Sequence, residues 1–161
     1  SAGMSKKDVD EKIVVATHHK AGFIFEILET YEAGLHLLGS EVKSLRSGKS
    51  SLDGCFGRED KGELYLVNFY IPLYPYAHIS PPDPRRNRKL LLRKTEVSRI
   101  LGKLKLKNLT LVPLEIYFRR GWAKAALGLA RGKTGVDRRE DIKKRTLQRE
   151  AEKSFKGVYR G

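Results

Sequence analysis

Between residues 25 and 37 most apolar side chains fall on odd positions. Phe25, Ile27, Tyr31, Ala33, Leu35 and Leu37 alternate with Glu26, Thr30, Glu32 and His36. A period of two belongs to a half-buried strand, so the run predicts a strand with Glu32 facing outward. The rule then changes. In "GSEVKSLRSG", Val42 and Leu45 are spaced i, i+3, Ser40 suits an N-cap, Glu41 suits the positive end of a helix and Gly48 can end it. A short helix with Lys43 and Arg46 exposed follows. "SSLDGCFGRED" and "ELYLVNFYI" read as two strands joined by a turn at Asp60, Lys61 and Gly62, the second apolar on both faces. The proline-rich residues 72–88 cannot continue a central strand and predict an exposed loop ending in a basic cluster. "RKLLL" is a short extended run. Val97, Ile100, Leu101 and Leu104, at i, i+3, i+4 and i+7 with Thr95 near the start, mark an amphipathic helix.

Two further strands complete the pattern. Val112, Leu114, Ile116 and Phe118 predict one inward face, and Ala123, Ala125, Leu127 and Leu129 another, with Lys124 pointing the other way. Arg119 to Gly121 suit a tight hairpin in which the glycine supplies a positive φ. Five or six short antiparallel strands with two interposed helices make a mainly β protein, a small barrel of the oligonucleotide-binding kind. No internal repeat is visible. The organisation expected is a flexible N-terminus over residues 1–20, in which Ser1 to Gly3 ahead of Met4 read as a cloning scar, a barrel domain over 21–132 and a basic tail over 133–161.

Charge sharpens this picture. Thirty-three Lys and Arg against 19 Asp and Glu give +14 and a pI near 10, which favours a polyanionic partner such as nucleic acid. No apolar run approaches the length that spans a bilayer, and the first residues lack a signal-peptide core, so the chain reads as soluble and without a membrane role. "DPRRNRKLL" packs four cations, Arg88 and Lys89 among them, into five positions. Lys43, Arg46, Lys49, Arg119, Arg120 and Lys124 fall on predicted outward faces or turns, near tyrosines and a tryptophan able to stack on bases. From residue 131 to the end, 11 of 31 residues are Lys or Arg and five are acidic. Only Leu147, Ala151, Phe155 and Val158 form a narrow apolar stripe, so the tail is expected to be disordered when free and to fold on a polyanion.

Catalytic chemistry finds less support. "GLARGKT" ends like a phosphate-binding loop, but the glycine such a loop needs five residues before Gly-Lys-Thr is Leu127 here. His18 and His19 are adjacent, so their side chains diverge, and they read as a solvated pair rather than a metal site. Cys55 reads as a small, partly buried side chain. No nucleophile with a base is evident, and the expectation is a non-enzyme without a cofactor.

"YEAGLHLLGSEVKSLRSGKSSL", "DPRRNRKLLL", "YFRRGWAKAALGLARGK" and "DRREDIKKR", in this order and spacing, resemble the small protein B family, the SsrA-binding proteins that partner transfer-messenger RNA in trans-translation. The resemblance covers most of residues 25–145. It implies an oligonucleotide-binding-fold barrel that grips the tRNA-like domain of the RNA near its elbow and brings it to stalled ribosomes. One monomer would serve each RNA, with elongation factor Tu engaged only indirectly through the charged RNA. The setting implied is cytoplasmic, with an organellar lineage left open. Glu32, Leu91 and Lys124 match the family's RNA-binding positions, and Lys43, Arg46, Arg88 and Lys89 are expected to add to that surface. The tail would become helical in the empty mRNA channel, with Lys133, Asp137, Arg138, Arg139, Lys143, Lys144 and Arg145 at the small-subunit decoding centre and along the channel. Where the family has Gly-Lys-Lys and then a His or Tyr before the Asp, this chain has Gly132, Lys133, Thr134 and then Val136. A stacking side chain and one cation are thereby missing, and Arg138 replaces a lysine. The alternative is a general ribosome-associated or single-strand RNA-binding protein without preference for transfer-messenger RNA.

Overall fold

The computed structural model describes residues 11–73, 81–106 and 108–133. Its strands are β1 (Ile13–Thr17), β2 (Phe25–Leu35), β3 (Phe56–Asp60), β4 (Glu63–Val67), β5 (Arg88–Leu91), β6 (Leu109–Arg119) and β7 (Trp122–Gly132). They pair antiparallel in the order β1-β6-β3-β4-β5-β2-β7, and a further pairing of β6 with β7 closes β2 to β7 into a ring. Closure removes the unpaired edges that would otherwise invite association. The strands expected from the sequence, five or six, supply this ring, so the reading of a mainly β barrel holds.

Both hairpin turns follow from two residues at positive φ. Lys61 (52°) and Gly62 (80°) join β3 to β4, and Arg120 (54°) and Gly121 (79°) join β6 to β7. Such mirror-image turns match the twist of the strands they connect. Asn68, at φ 65°, ends β4 sooner than expected, although Phe69 and Ile71 beyond it are still buried. β3 comes so close to β6 that a Cβ on Gly57 would stand 2.5 Å from a methyl of Leu111, so only glycine fits there.

Three helical segments accompany the ring: α1, a single turn (Ala21–Ile24), α2 (Gly39–Arg46) and α3 (Lys94–Leu104). Leu45 of α2 and Ile100 of α3 join Ala33, Leu35, Leu90, Ile116, Phe118 and Leu127 in one core, with Val97, Leu101 and Leu104 packed against it. Burying such side chains is the main stabilising term, about 1.5–3 kcal/mol each before entropy is counted. Cys55 is buried there too, which pushes its thiol up to about 12. α2 begins one residue before the expected cap, with Leu38 rather than Ser40 at the N-cap. Among the described residues no helix is long and apolar enough to cross a membrane.

Three expectations are corrected. Residues 13–17, read as part of a flexible N-terminus, form β1 on β6, where Val15 and Ala16 reach the core and Lys12 pairs with Glu115. A run of β-branched residues had carried that signal. In β6 a bulge between Pro113 and Glu115 changes the phase of the strand. Leu111 faces the core before it and Ile116 and Phe118 after it, while Leu114 is half-buried on the other side. Proline has no N–H for the ladder, which suits it to a bulge. His18, expected to be solvated, is instead buried, and its Nδ1 donates to the Pro113 carbonyl at 3.0 Å.

Candidate nucleic-acid interface

Residues paired across antiparallel strands share a face, and positions two apart on one strand share it as well. Gly34 on β2 pairs with Leu91 on β5 and with Lys124 on β7, and Lys124 pairs in turn with Tyr117 on β6. Glu32 lies two residues before Gly34. The expected Glu32, Leu91 and Lys124 are therefore gathered on the outer face of three adjacent strands. Gly34 is what lets them approach: a Cβ there would meet that of Leu91 at 3.2 Å, so Leu91 leans over bare backbone while remaining half exposed.

The carboxylate of Glu32 is held from one side. Tyr117 donates its phenol to Oε2, and Arg119 Nη1 donates to the same oxygen at 3.2 Å. Oε1 has no partner among the described residues. Burial, and then the bond to Glu32, push the Tyr117 phenol up to about 12, so it remains a donor at neutral pH. Lys12 and Arg119 lie against the Tyr117 ring, 4.6 and 5.5 Å from its centroid. Where β6 turns into β7, Glu32, Arg119, Arg120, Trp122 and Lys124 line an open hollow of about 440 Å³. Trp122 is 73% exposed, unusual for so large an apolar surface without a ligand to cover it. Tyr117 was missing from the expected site, yet its place between inward Ile116 and Phe118 already marked it as outward-facing.

The other expected residues are spread more widely. Lys89 projects from β5 on the Leu91 side and pairs with Glu63 at 3.0 Å. Lys43 and Arg46 are exposed on α2, and the Arg46 guanidinium lies 4.1 Å from the centroid of the Phe118 ring. Lys133 is fastened at the far end of β7, its Nζ donating to the Gly22 carbonyl at 2.8 Å. Asp137, Arg138, Arg139, Lys143, Lys144 and Arg145, together with the expected tail helix, lie outside the described residues.

Arg88 is a correction. Expected on the RNA surface, it is 0% exposed. Arg88 has the same parity on β5 as core-facing Leu90, so the strand that turns Lys89 outward turns Arg88 inward. Its Nε donates to Glu41 Oε2 at 2.8 Å, and its other nitrogens donate to the carbonyls of Phe69, Pro84 and Arg86. Arg86 grips both oxygens of Glu41, and the Leu38 N–H donates to Oε1 at 2.8 Å. Burial raises the Glu41 carboxyl most among the separate influences, but Arg86, the Leu38 N–H and Arg88 together hold it below its ordinary value. The cluster ties α2 and the segment after the proline-rich loop to the barrel. Among the described residues no group of His, Cys, Asp and Glu could hold a metal ion.

Comparison with known proteins gives the family of the chain. The SmpB protein family model matches residues 15–157. The SsrA-binding protein of Elusimicrobium minutum is 48% identical over 153 residues, covering 95% of this chain and 97% of its own. That of Thermus thermophilus is 53% identical over 139 residues, covering 86% of this chain and 96% of its own. A solved chain described as "tmRNA-SmpB: a journey to the center of the bacterial ribosome" is 57% identical, with a TM-score of 0.63 over 74% of this chain and 84% of that one. Matched over nearly all of the barrel and of the tail beyond it, the chain belongs to the SmpB protein family.

Proposed function

We propose that this chain is a non-catalytic RNA-binding adaptor that holds transfer-messenger RNA and acts with it on the ribosome in trans-translation. One observation carries the reading: a barrel of this family gathers Glu32, Leu91 and Lys124, from three strands, on a single outer face. Lys124 offers a cation to the RNA backbone, Leu91 offers an apolar surface to a sugar or unstacked base, and Glu32 accepts hydrogen bonds from a base edge or 2′-hydroxyl. The carboxylate matters for specificity because it weakens nonspecific attraction to phosphate and is repaid only where RNA presents a donor.

The RNA element bound is the tRNA-like domain, and one protein serves each RNA. The tail after Gly132 enters the mRNA channel of a stalled ribosome with Asp137, Arg138 and Arg139 near the decoding centre. Elongation factor Tu meets this complex through the charged RNA, in the cytoplasm. The test compares affinity for the tRNA-like domain and for an unrelated hairpin of equal length across a salt series. Both fall with salt, and a gap of about a hundredfold at physiological salt is expected. Equal affinities would reduce the chain to a general RNA-binding protein. Truncation after Gly132 should leave binding intact and abolish peptide tagging on stalled ribosomes, and persistent tagging would overturn the role of the tail.

A further inference from the structure

The hollow beside Glu32 is more selective than RNA binding alone requires. Its wall includes the exposed indole of Trp122, its polar edge is Glu32 and its rim carries Arg119, Arg120 and Lys124. Tyr117 and Arg119 occupy Oε2, so the carboxylate has a fixed orientation and only Oε1 left to accept. An indole stacks on any base, but a carboxylate is served by two donors at once only where a base presents them side by side. Adenine and cytosine each place a ring-nitrogen lone pair beside the amino group on their pairing edge, and uracil places a carbonyl on either side of its one N–H. Guanine alone presents two adjacent donors, N1–H and the N2 amine.

We infer that this hollow receives one unstacked guanine of the bound RNA, stacked on Trp122 with its N1–H and N2 amine directed at Glu32 Oε1. Arg119, Arg120 and Lys124 would then hold the flanking phosphates, which offsets the cost of bringing a carboxylate to the RNA. The inference rests on the reading of the chain as an RNA-binding protein and adds the base it selects.

Trp122 is the single tryptophan of the chain, so its fluorescence reports the hollow directly. The full chain is titrated with hairpins of one stem and a uridine loop in which one central base is uracil, adenine, cytosine, guanine or inosine. The guanine loop should bind about tenfold or more tightly than the others and quench Trp122. Inosine, which lacks only the N2 amine, should lose most of that gain. Glu32→Gln should level guanine with the rest while the tRNA-like domain is still bound, more weakly by the same factor. The inosine comparison uses unaltered protein and stands whether or not the variant folds. Equal affinity and quenching for all loops would overturn guanine selection. Unchanged fluorescence with every loop, while the tRNA-like domain binds tightly, would overturn the hollow as a base site and leave the adaptor reading intact. Failure to prefer the tRNA-like domain over the control hairpin would count against the adaptor reading itself.

Discussion

Glu41 and Glu32 are both carboxylates gripped by arginine, and they do opposite work. Glu41 is 3% exposed, and both its oxygens are filled by Leu38, Arg86 and Arg88. Glu32 is about half exposed, and one oxygen takes both of its donors. The saturated group has nothing left to offer a ligand and holds the fold. The unsaturated one is fixed in place yet still able to accept. Completeness of hydrogen bonding, rather than charge, separates a structural ion cluster from a recognition site.

The difference can be broken from either side. Glu41→Ala leaves Arg88 charged and buried without its partner, and should cost about 3–5 kcal/mol in denaturant unfolding. Little or no loss would place Arg88 in water and undo the contrast. Glu32→Gln should change unfolding by no more than about 0.5 kcal/mol. It should nonetheless weaken binding to the tRNA-like domain about tenfold, or about 1.4 kcal/mol.

Acid sharpens the same contrast. The Glu41 carboxyl lies below its ordinary 4.5 in the folded chain, so its contribution is present above that value and is lost as pH falls through the lower folded one. Acid unfolding should therefore steepen below about pH 4.5, and Glu41→Gln should flatten that part of the curve. Glu29 is lowered further, to about 2, first by its hydrogen bond from Arg99 and then by that from Tyr31. Its partner Arg99 is largely exposed, and Arg99→Ala should shift the unfolding midpoint only slightly, an effect that fades in high salt. These two glutamates show that a depressed carboxyl does not by itself measure how much the fold depends on it.

Much of this was legible in the sequence. Period-two runs marked β2, β6 and β7, Asp60 to Gly62 and Arg119 to Gly121 marked the turns, and parity alone placed Glu32 and Lys124 outward. What failed did so where one local rule met a tertiary constraint. The Arg85 to Lys89 run looks uniformly solvated, whereas four residues of strand send Arg88 to the core and Lys89 to the surface. Strict alternation through Val112 and Leu114 was interrupted by the bulge at Pro113, which only pairing with β7 makes visible. β1 was lost because its polar surroundings outweighed Ile13 to Val15, although β6 offers them an edge to join. His18 is buried by the same neighbour.

The most direct measurement is the affinity of the Glu32→Gln chain for the tRNA-like domain and for an unrelated hairpin, at physiological salt and with folding verified. The expected result is a selective loss, about tenfold on the tRNA-like domain with the hairpin unchanged or bound slightly more tightly, because a negative charge has gone. An equal gain on both RNAs would contradict it and make Glu32 a mere repulsive charge on a basic surface.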